Sequence, residues 1–193
     1  MSNAAFPPTH RTHLRSLLFL VLLSSVLGCD LLTSLDVVSS PASLKVGDAA
    51  PPLEVTDWYQ GAPLQGLTKG KVHVVEFWAT WCGPCLVNIP HMSQLQVKYA
   101  QDAIFIGVTN EGPTTVETFL ASESTGGAPW NQVVSYRLAT DGKRLMYQNY
   151  MAAANQMGIP TAFIIDQSGK IAWIGHPADI DQPLASTINS MSE

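Results

Sequence analysis

Two cysteines three positions apart carry the reactive chemistry of this chain. They lie in the run Val72-His-Val-Val-Glu-Phe-Trp-Ala-Thr-Trp-Cys-Gly-Pro-Cys-Leu-Val-Asn-Ile-Pro90. Residues i and i+3 of a helix have Cβ atoms roughly 5–6 Å apart, close to the spacing a disulfide tolerates. Cys82 and Cys85 can therefore join or separate with little backbone movement. The first turn of a helix also presents unpaired N–H groups and the positive end of its dipole, which favours a thiolate on the outer cysteine. Cys82 is then the attacking sulfur and Cys85, deeper in the helix, the resolving one. Cys-x-x-Cys is equally half of a zinc site, and His73, His91 and His176 are the histidines that would complete it. None of these histidines lies in a second paired motif, so no metal site is assigned.

Such a pair needs elements to hold it. The apolar run Val72–Phe77 predicts a strand leading into the turn, and Pro84 suits the first turn of a helix because its missing N–H would have had no partner. That helix is expected to run to about Tyr99, kinked by Pro90. Ala103–Thr109 predicts a buried parallel strand, and Thr114 to about Glu123 a helix with Thr114 as N-cap and Val116, Phe119 and Leu120 on one face. Leu53–Thr56 reads as extended and Asp57–Pro63 as turn. Val133–Tyr136 reads as a short strand, with a helix following through Met157 in which Met146, Met151 and Met157 fill a core. Strands at 161–165 and 170–174 around Asp166-Gln-Ser-Gly169 form a hairpin, and Pro183–Met191 a final helix. The sum is an α/β fold with a central mixed sheet flanked by helices.

The N-terminus carries a different signal. Arg11 and Arg15 precede a short apolar run, Leu17–Leu27, below the roughly 20 residues of a membrane span. Residues 1–28 are read as a secretion signal, with a signal anchor as the alternative. Val26-Leu27-Gly28-Cys29 resembles a bacterial lipoprotein box, which makes Cys29 the expected lipidation site and residues 29–43 a lipid-anchored spacer before a domain at 44–193. The formal charge of −5 becomes −7 when Arg11 and Arg15 are lost, so nucleic acid is not an expected partner. Of three cysteines, the lipid site leaves Cys82 and Cys85, a pair too close in sequence to staple distant segments. Redox exchange is the more natural use of it.

The stretch Glu76-Phe-Trp-Ala-Thr-Trp-Cys-Gly-Pro-Cys85 resembles the active site of the thioredoxin superfamily, and Gly158-Ile-Pro-Thr161 resembles its cis-proline loop. Pro90 matches the helix-kinking proline. The long lead-in and the extra segment between Ile104 and Pro160 make the chain similar to membrane-tethered, extracytoplasmic thiol-disulfide oxidoreductases of the TlpA and ResA type. The resemblance implies a thioredoxin-like fold with an N-terminal extension, a Cys82–Cys85 dithiol/disulfide cycle, and reduction of extracytoplasmic protein disulfides without a cofactor. It implies Glu76 as a buried proton acceptor for Cys85, and Trp81, Gly83, Pro84, Ile159 and Pro160 as the surface that receives the substrate chain. It further implies a membrane thiol-disulfide electron carrier as donor and a lipid-anchored place on the periplasmic side of a bacterial cell envelope, the inner membrane favoured by Asp30 after Cys29. Two departures stand out. Asn88 occupies a position that is often glutamate in TlpA-like chains, and the lysine that neighbours the buried acid in thioredoxin has no counterpart in Ile104–Asn110. A thiol peroxidase of the same superfamily and a redox-inert metallochaperone remain the alternatives.

Overall fold

The computed structural model describes residues 43–190. Cys29, the expected signal segment and most of the expected spacer lie outside the described residues. Six strands form one sheet: β1 (Asp57–Gln60), β2 (Val72–Phe77), β3 (Ala103–Thr109), β4 (Arg137–Thr140), β5 (Thr161–Ile165) and β6 (Ile171–Gly175). Their order is β1-β4-β3-β2-β5-β6. β3 pairs in parallel with β2 and β4, whereas β2–β5, β5–β6 and β1–β4 are antiparallel. Every residue of β2 is buried, as its β-branched run requires of a strand with a neighbour on each edge and a layer on each face.

Side-chain alternation divides the core in two. Val72, Val74 and Trp78 face one layer with Phe105 of β3, beneath α1 (Gly83–Lys98), α2 (Pro113–Ala121), α3 (Trp130–Val133) and α4 (Asp181–Asn189). Val75 and Phe77 face the other, with Ile106, Phe163, Met146, Tyr150 and Met151. Helix α1 buries Cys85, Asn88, Ile89, Met92, Ser93, Leu95 and Gln96, the three- and four-residue spacing of an amphipathic helix. Gln96 ties it to the sheet, accepting from Phe105 N–H at 2.9 Å and donating to Ala103 O at 3.1 Å. The lead-in crosses the second layer through backbone bonds such as Gly47 N–H to Ile171 O and Thr56 N–H to Thr140 O, both 2.8 Å.

Several local expectations need correction. Asp57–Gln60 is an edge strand, not turn: Trp58, Tyr59 and Gln60 are half-buried, the strand pairs with β4 across a bulge between Trp58 and Gln60, and the turn comes at Gly61, whose φ is +74°. The strand expected at Val133–Tyr136 begins instead at Arg137. Trp130 stacks on Phe119 at 5.0 Å and 22°, and that anchor winds 130–133 into a helical turn. The N-cap of α2 is Gly112, with Pro113 rather than Thr114 opening the helix. The helical segment before the cis-proline loop closes as a π-helical turn, Tyr147–Ala152, and Asn155 at φ +53° ends it in the left-handed conformation typical of helix C-termini. Met157 therefore falls in the loop and is exposed, while Met146 and Met151 are core as expected.

Candidate functional site

The site sits where β2 ends. After Phe77 the chain passes Trp78, Ala79, Thr80 and Trp81 in a turn closed by Cys82 N–H to Ala79 O at 3.1 Å. Cys82 is the N-cap of α1, its backbone extended and its sulfur accepting the Cys85 N–H at 3.2 Å. The Cys85 amide, at the positive end of the helix dipole, thus points at the outer sulfur. Cys82 and Cys85 form a disulfide with Cα atoms 5.2 Å apart. Cys82 is 4% exposed and Cys85 is fully buried, so the pair meets solvent through the outer sulfur.

The Ile159–Pro160 bond is cis, which places the Ile159 carbonyl oxygen 3.8 Å from Cys82 Sγ. A disulfide sulfur has no hydrogen to donate, so this is a packing contact. Trp81, 73% exposed, and Met157 stand beside it. Together with Tyr147, Met151, Gly158 and Ile159 they border a cleft of about 400 Å³. Gly83 has open space around the position a Cβ would take, and Pro84 stands in the first turn of α1. The residues expected to receive a substrate chain are thus gathered near the sulfurs: Trp81 by the turn after β2, Gly83 and Pro84 by the first turn of α1, and Ile159 and Pro160 by the loop before β5.

Glu76 lies on β2 with the parity of Val74 and Trp78, on the layer that holds Cys82 and Cys85. It is 1% exposed. Its Oε2 accepts from the Tyr136 hydroxyl at 3.1 Å, and its Oε1 has no hydrogen-bond partner. Burial pushes its pKa from the ordinary 4.5 up to about 7, and the Tyr136 hydrogen bond offsets part of the rise. Tyr136 is itself pushed well above its ordinary value, by burial first and then by the neighbouring carboxylate. A carboxyl that titrates near neutrality can take or give a proton.

Other groups fall elsewhere. His73 is buried on β2, where its Nε2 accepts from Thr68 N–H at 3.0 Å. Burial is the main reason its pKa drops to about 4. His91 pairs with Asp181 at 2.8 Å, joining α1 to α4, and His176 Nδ1 accepts from Ala178 N–H at 3.1 Å. Asn88 donates to Pro84 O at 2.8 Å, tying the first turns of α1 together. The three histidines considered as zinc ligands thus each have a separate structural partner.

Two site residues were missed from sequence. Tyr136 reaches Glu76 from the segment before β4, across 60 residues of chain. Glu111, just past β3, accepts from both Thr80 N–H and Thr80 Oγ1–H at 2.7 Å. An aromatic hydroxyl beside a buried acid is a pairing that chemistry favours, but its partner emerges only once β4 is placed.

A β-α-β unit, β2-α1-β3, whose helix is capped by a cysteine, opposed by a cis-proline loop, defines a thioredoxin-like protein. Residues 46–174 match the AhpC/TSA family, and the chain belongs to it. The thiol:disulfide interchange protein HelX of Rhodobacter capsulatus is 31% identical over 140 residues, spanning 70% of each chain. The thiol-disulfide oxidoreductase ResA of Geobacillus kaustophilus is 26% identical over 164 residues, 85% of this chain and 86% of that one. Among solved structures, one assigned as the thiol:disulfide interchange protein DsbE of Chlorobium tepidum covers 78% of this chain and 100% of its own, at 28% identity and a TM-score of 0.55.

Proposed function

We propose that this thiol-disulfide oxidoreductase reduces disulfides of extracytoplasmic proteins through Cys82 and Cys85. The observation that carries the reading is the Cys82–Cys85 bond itself, set at a helix N-cap with its inner sulfur buried beside the layer that holds Glu76. In the reduced protein the Cys82 thiolate attacks a substrate disulfide. A Cys82–substrate bond forms and one substrate sulfur leaves with the electron pair of the broken bond. Glu76 takes the Cys85 proton, and the Cys85 thiolate attacks Cys82 and releases the second substrate sulfur. The substrate gains two electrons, and the protein returns to the disulfide. A thiol carrier in the membrane re-reduces it by the same exchange in reverse.

The substrate backbone lies along Ile159 and Pro160 as an added extended segment, with Trp81, Gly83 and Pro84 forming the opposite bank. Helix N-termini favour the thiolate, and an open Gly83 lets another chain come close. Residues 1–28 serve as a signal peptide and Cys29 as the lipidated first residue of the mature protein, with 29–43 as spacer and 44–193 as the working domain. The protein then sits on the outer face of the inner membrane, which suits a donor embedded there. Both sulfurs of the pair are used in the same bond, which favours dithiol exchange over a peroxidase cycle.

The test is trapping. Cys85→Ser should freeze Cys82–substrate mixed disulfides in the cell envelope, and Cys82→Ser should not. Recovery of the same partners with both variants, or with neither, overturns the reading. Palmitate labelling of wild type against Cys29→Ala tests the anchor independently.

A further inference from the structure

Glu111 is unassigned in the chemistry above, yet its carboxylate reaches the turn that delivers Cys82. Its Oε2 accepts from Thr80 N–H at 2.7 Å and from Thr109 Oγ1–H at 3.2 Å, and its Oε1 accepts from Thr80 Oγ1–H at 2.7 Å. Glu111 N–H returns a bond to Thr109 Oγ1 at 3.3 Å. Thr80 lies inside the turn Ala79–Cys82, two residues before the outer sulfur, so the carboxylate grips that turn by its backbone and its side chain at once. Charge-assisted bonds of this length are among the stronger hydrogen bonds in proteins. A neutral acceptor would satisfy the same donors. The carboxylate adds a negative charge to the turn that carries Cys82, held on Thr80 two residues before a sulfur that the helix N-terminus otherwise stabilises as thiolate.

We propose that Glu111 is a positioning residue with an electrostatic role: it fixes the Thr80–Trp81 turn and restrains the acidity of Cys82, keeping the dithiol a better reductant. The direction follows from electron bookkeeping. A group that destabilises the Cys82 thiolate destabilises the reduced protein relative to the disulfide. Electrons then leave more readily, and the potential falls. The opposing pulls of the helix amides and Glu111 thus set the balance between a reactive nucleophile and a low potential. This inference rests on the disulfide-reductase reading.

Glu111→Gln separates charge from grip. The glutamine carbonyl oxygen can take the Thr80 N–H, and the Thr80 hydroxyl can turn to accept from the amide, so the turn stays held while the charge is gone. The expected result is an increase in Cys82 acidity of about fivefold, the order of the effect of one solvent-screened charge, read from the pH dependence of iodoacetamide alkylation. Glutathione equilibration above the Cys82 pKa should show the equilibrium displaced toward the dithiol by the same factor, about 20 mV. Thr80→Val, which retains the charge and loses one hydrogen bond, should leave both values within twofold of wild type. If Glu111→Gln titrates and equilibrates as wild type does, while Glu111→Ala only lowers stability, Glu111 is structural and the proposal is wrong. Insulin reduction by the wild-type protein, absent in Cys82→Ser, is run alongside. Failure of that control rejects the oxidoreductase reading, whereas its success with unshifted Glu111→Gln rejects this inference alone.

Discussion

Replacing Glu76 with glutamine should make the protein more stable in alkali and leave the pH-dependent term near zero in acid. Burial raises the carboxyl pKa from 4.5 in the unfolded chain to about 7 in the folded one. Between those values the folded state binds more protons than the unfolded state, so stability falls as pH rises. At 1.36 kcal/mol per pH unit the charged carboxylate costs the fold about 3 kcal/mol above pH 7, and nothing below pH 4. Glutamine cannot ionise, so the variant lacks this slope. Its carbonyl can keep the Tyr136 hydroxyl bond, but its amide inherits the unpartnered position of Oε1, at a pH-independent cost of about 1–3 kcal/mol. The signature is therefore the change in the variant-minus-wild-type difference with pH. Urea unfolding of the oxidised proteins at intervals from pH 4 to pH 8.5, monitored by tryptophan fluorescence, should show that difference move in favour of the variant by about 3 kcal/mol, mostly between pH 4.5 and 7. A constant difference across the range would mean that Glu76 has an ordinary pKa, and would remove its qualification as a proton acceptor near neutrality. If it does accept the Cys85 proton, the variant should also resolve mixed disulfides at least tenfold more slowly near neutrality, consistent with the usual size of general-base effects.

Three further outcomes follow from the same packing. His73, held neutral with its pKa depressed to about 4, contributes stability that is present above pH 6.5 and lost as pH falls toward 4; His73→Gln should remove an acid-side slope of about 2–3 kcal/mol in the same urea series. Gly107→Ala places a methyl group 2.7 Å from Leu138 Cδ2 and 3.1 Å from Trp78 Nε1 and Tyr136 Cε2; thermal unfolding should show a loss of about 1–3 kcal/mol, with Glu76 titration disturbed through Tyr136. Trp81→Ala, at a side chain 73% exposed, should change stability by no more than about 0.5 kcal/mol while insulin-reduction kinetics show a raised KM, the outcome expected of the proposed substrate-binding role of Trp81.

What could be read in advance divides along a physical line. The cysteine pair, the buried strands Val72–Phe77 and Ala103–Thr109, and the Thr161–Gly175 hairpin announce themselves through local periodicity and turn residues, which act over a few positions. The place of Glu76 came from the resemblance of Glu76–Cys85 to the thioredoxin active site, and parity along β2 accounts for it. Tyr136 and Glu111 did not, because their partners lie 60 and 31 residues away and no local pattern encodes which segment will stand opposite. Asp57–Gln60 was misread for a related reason. Its residues suit a turn, and only pairing with β4 makes them a strand. Met157 escaped the helix because Asn155 ends it, a left-handed position that asparagine tolerates without declaring.

The concealment of Cys85 and the thin exposure of Cys82 have a kinetic corollary. Under the proposed cycle a donor and a client protein must both reach the one exposed sulfur, Cys82, so they visit in turn and never together. Flooding the system with oxidised client should leave the rate limited by departure and re-arming, and a surplus of either visitor should crowd out the other, giving parallel-line double-reciprocal plots that bend upward when one partner is in excess.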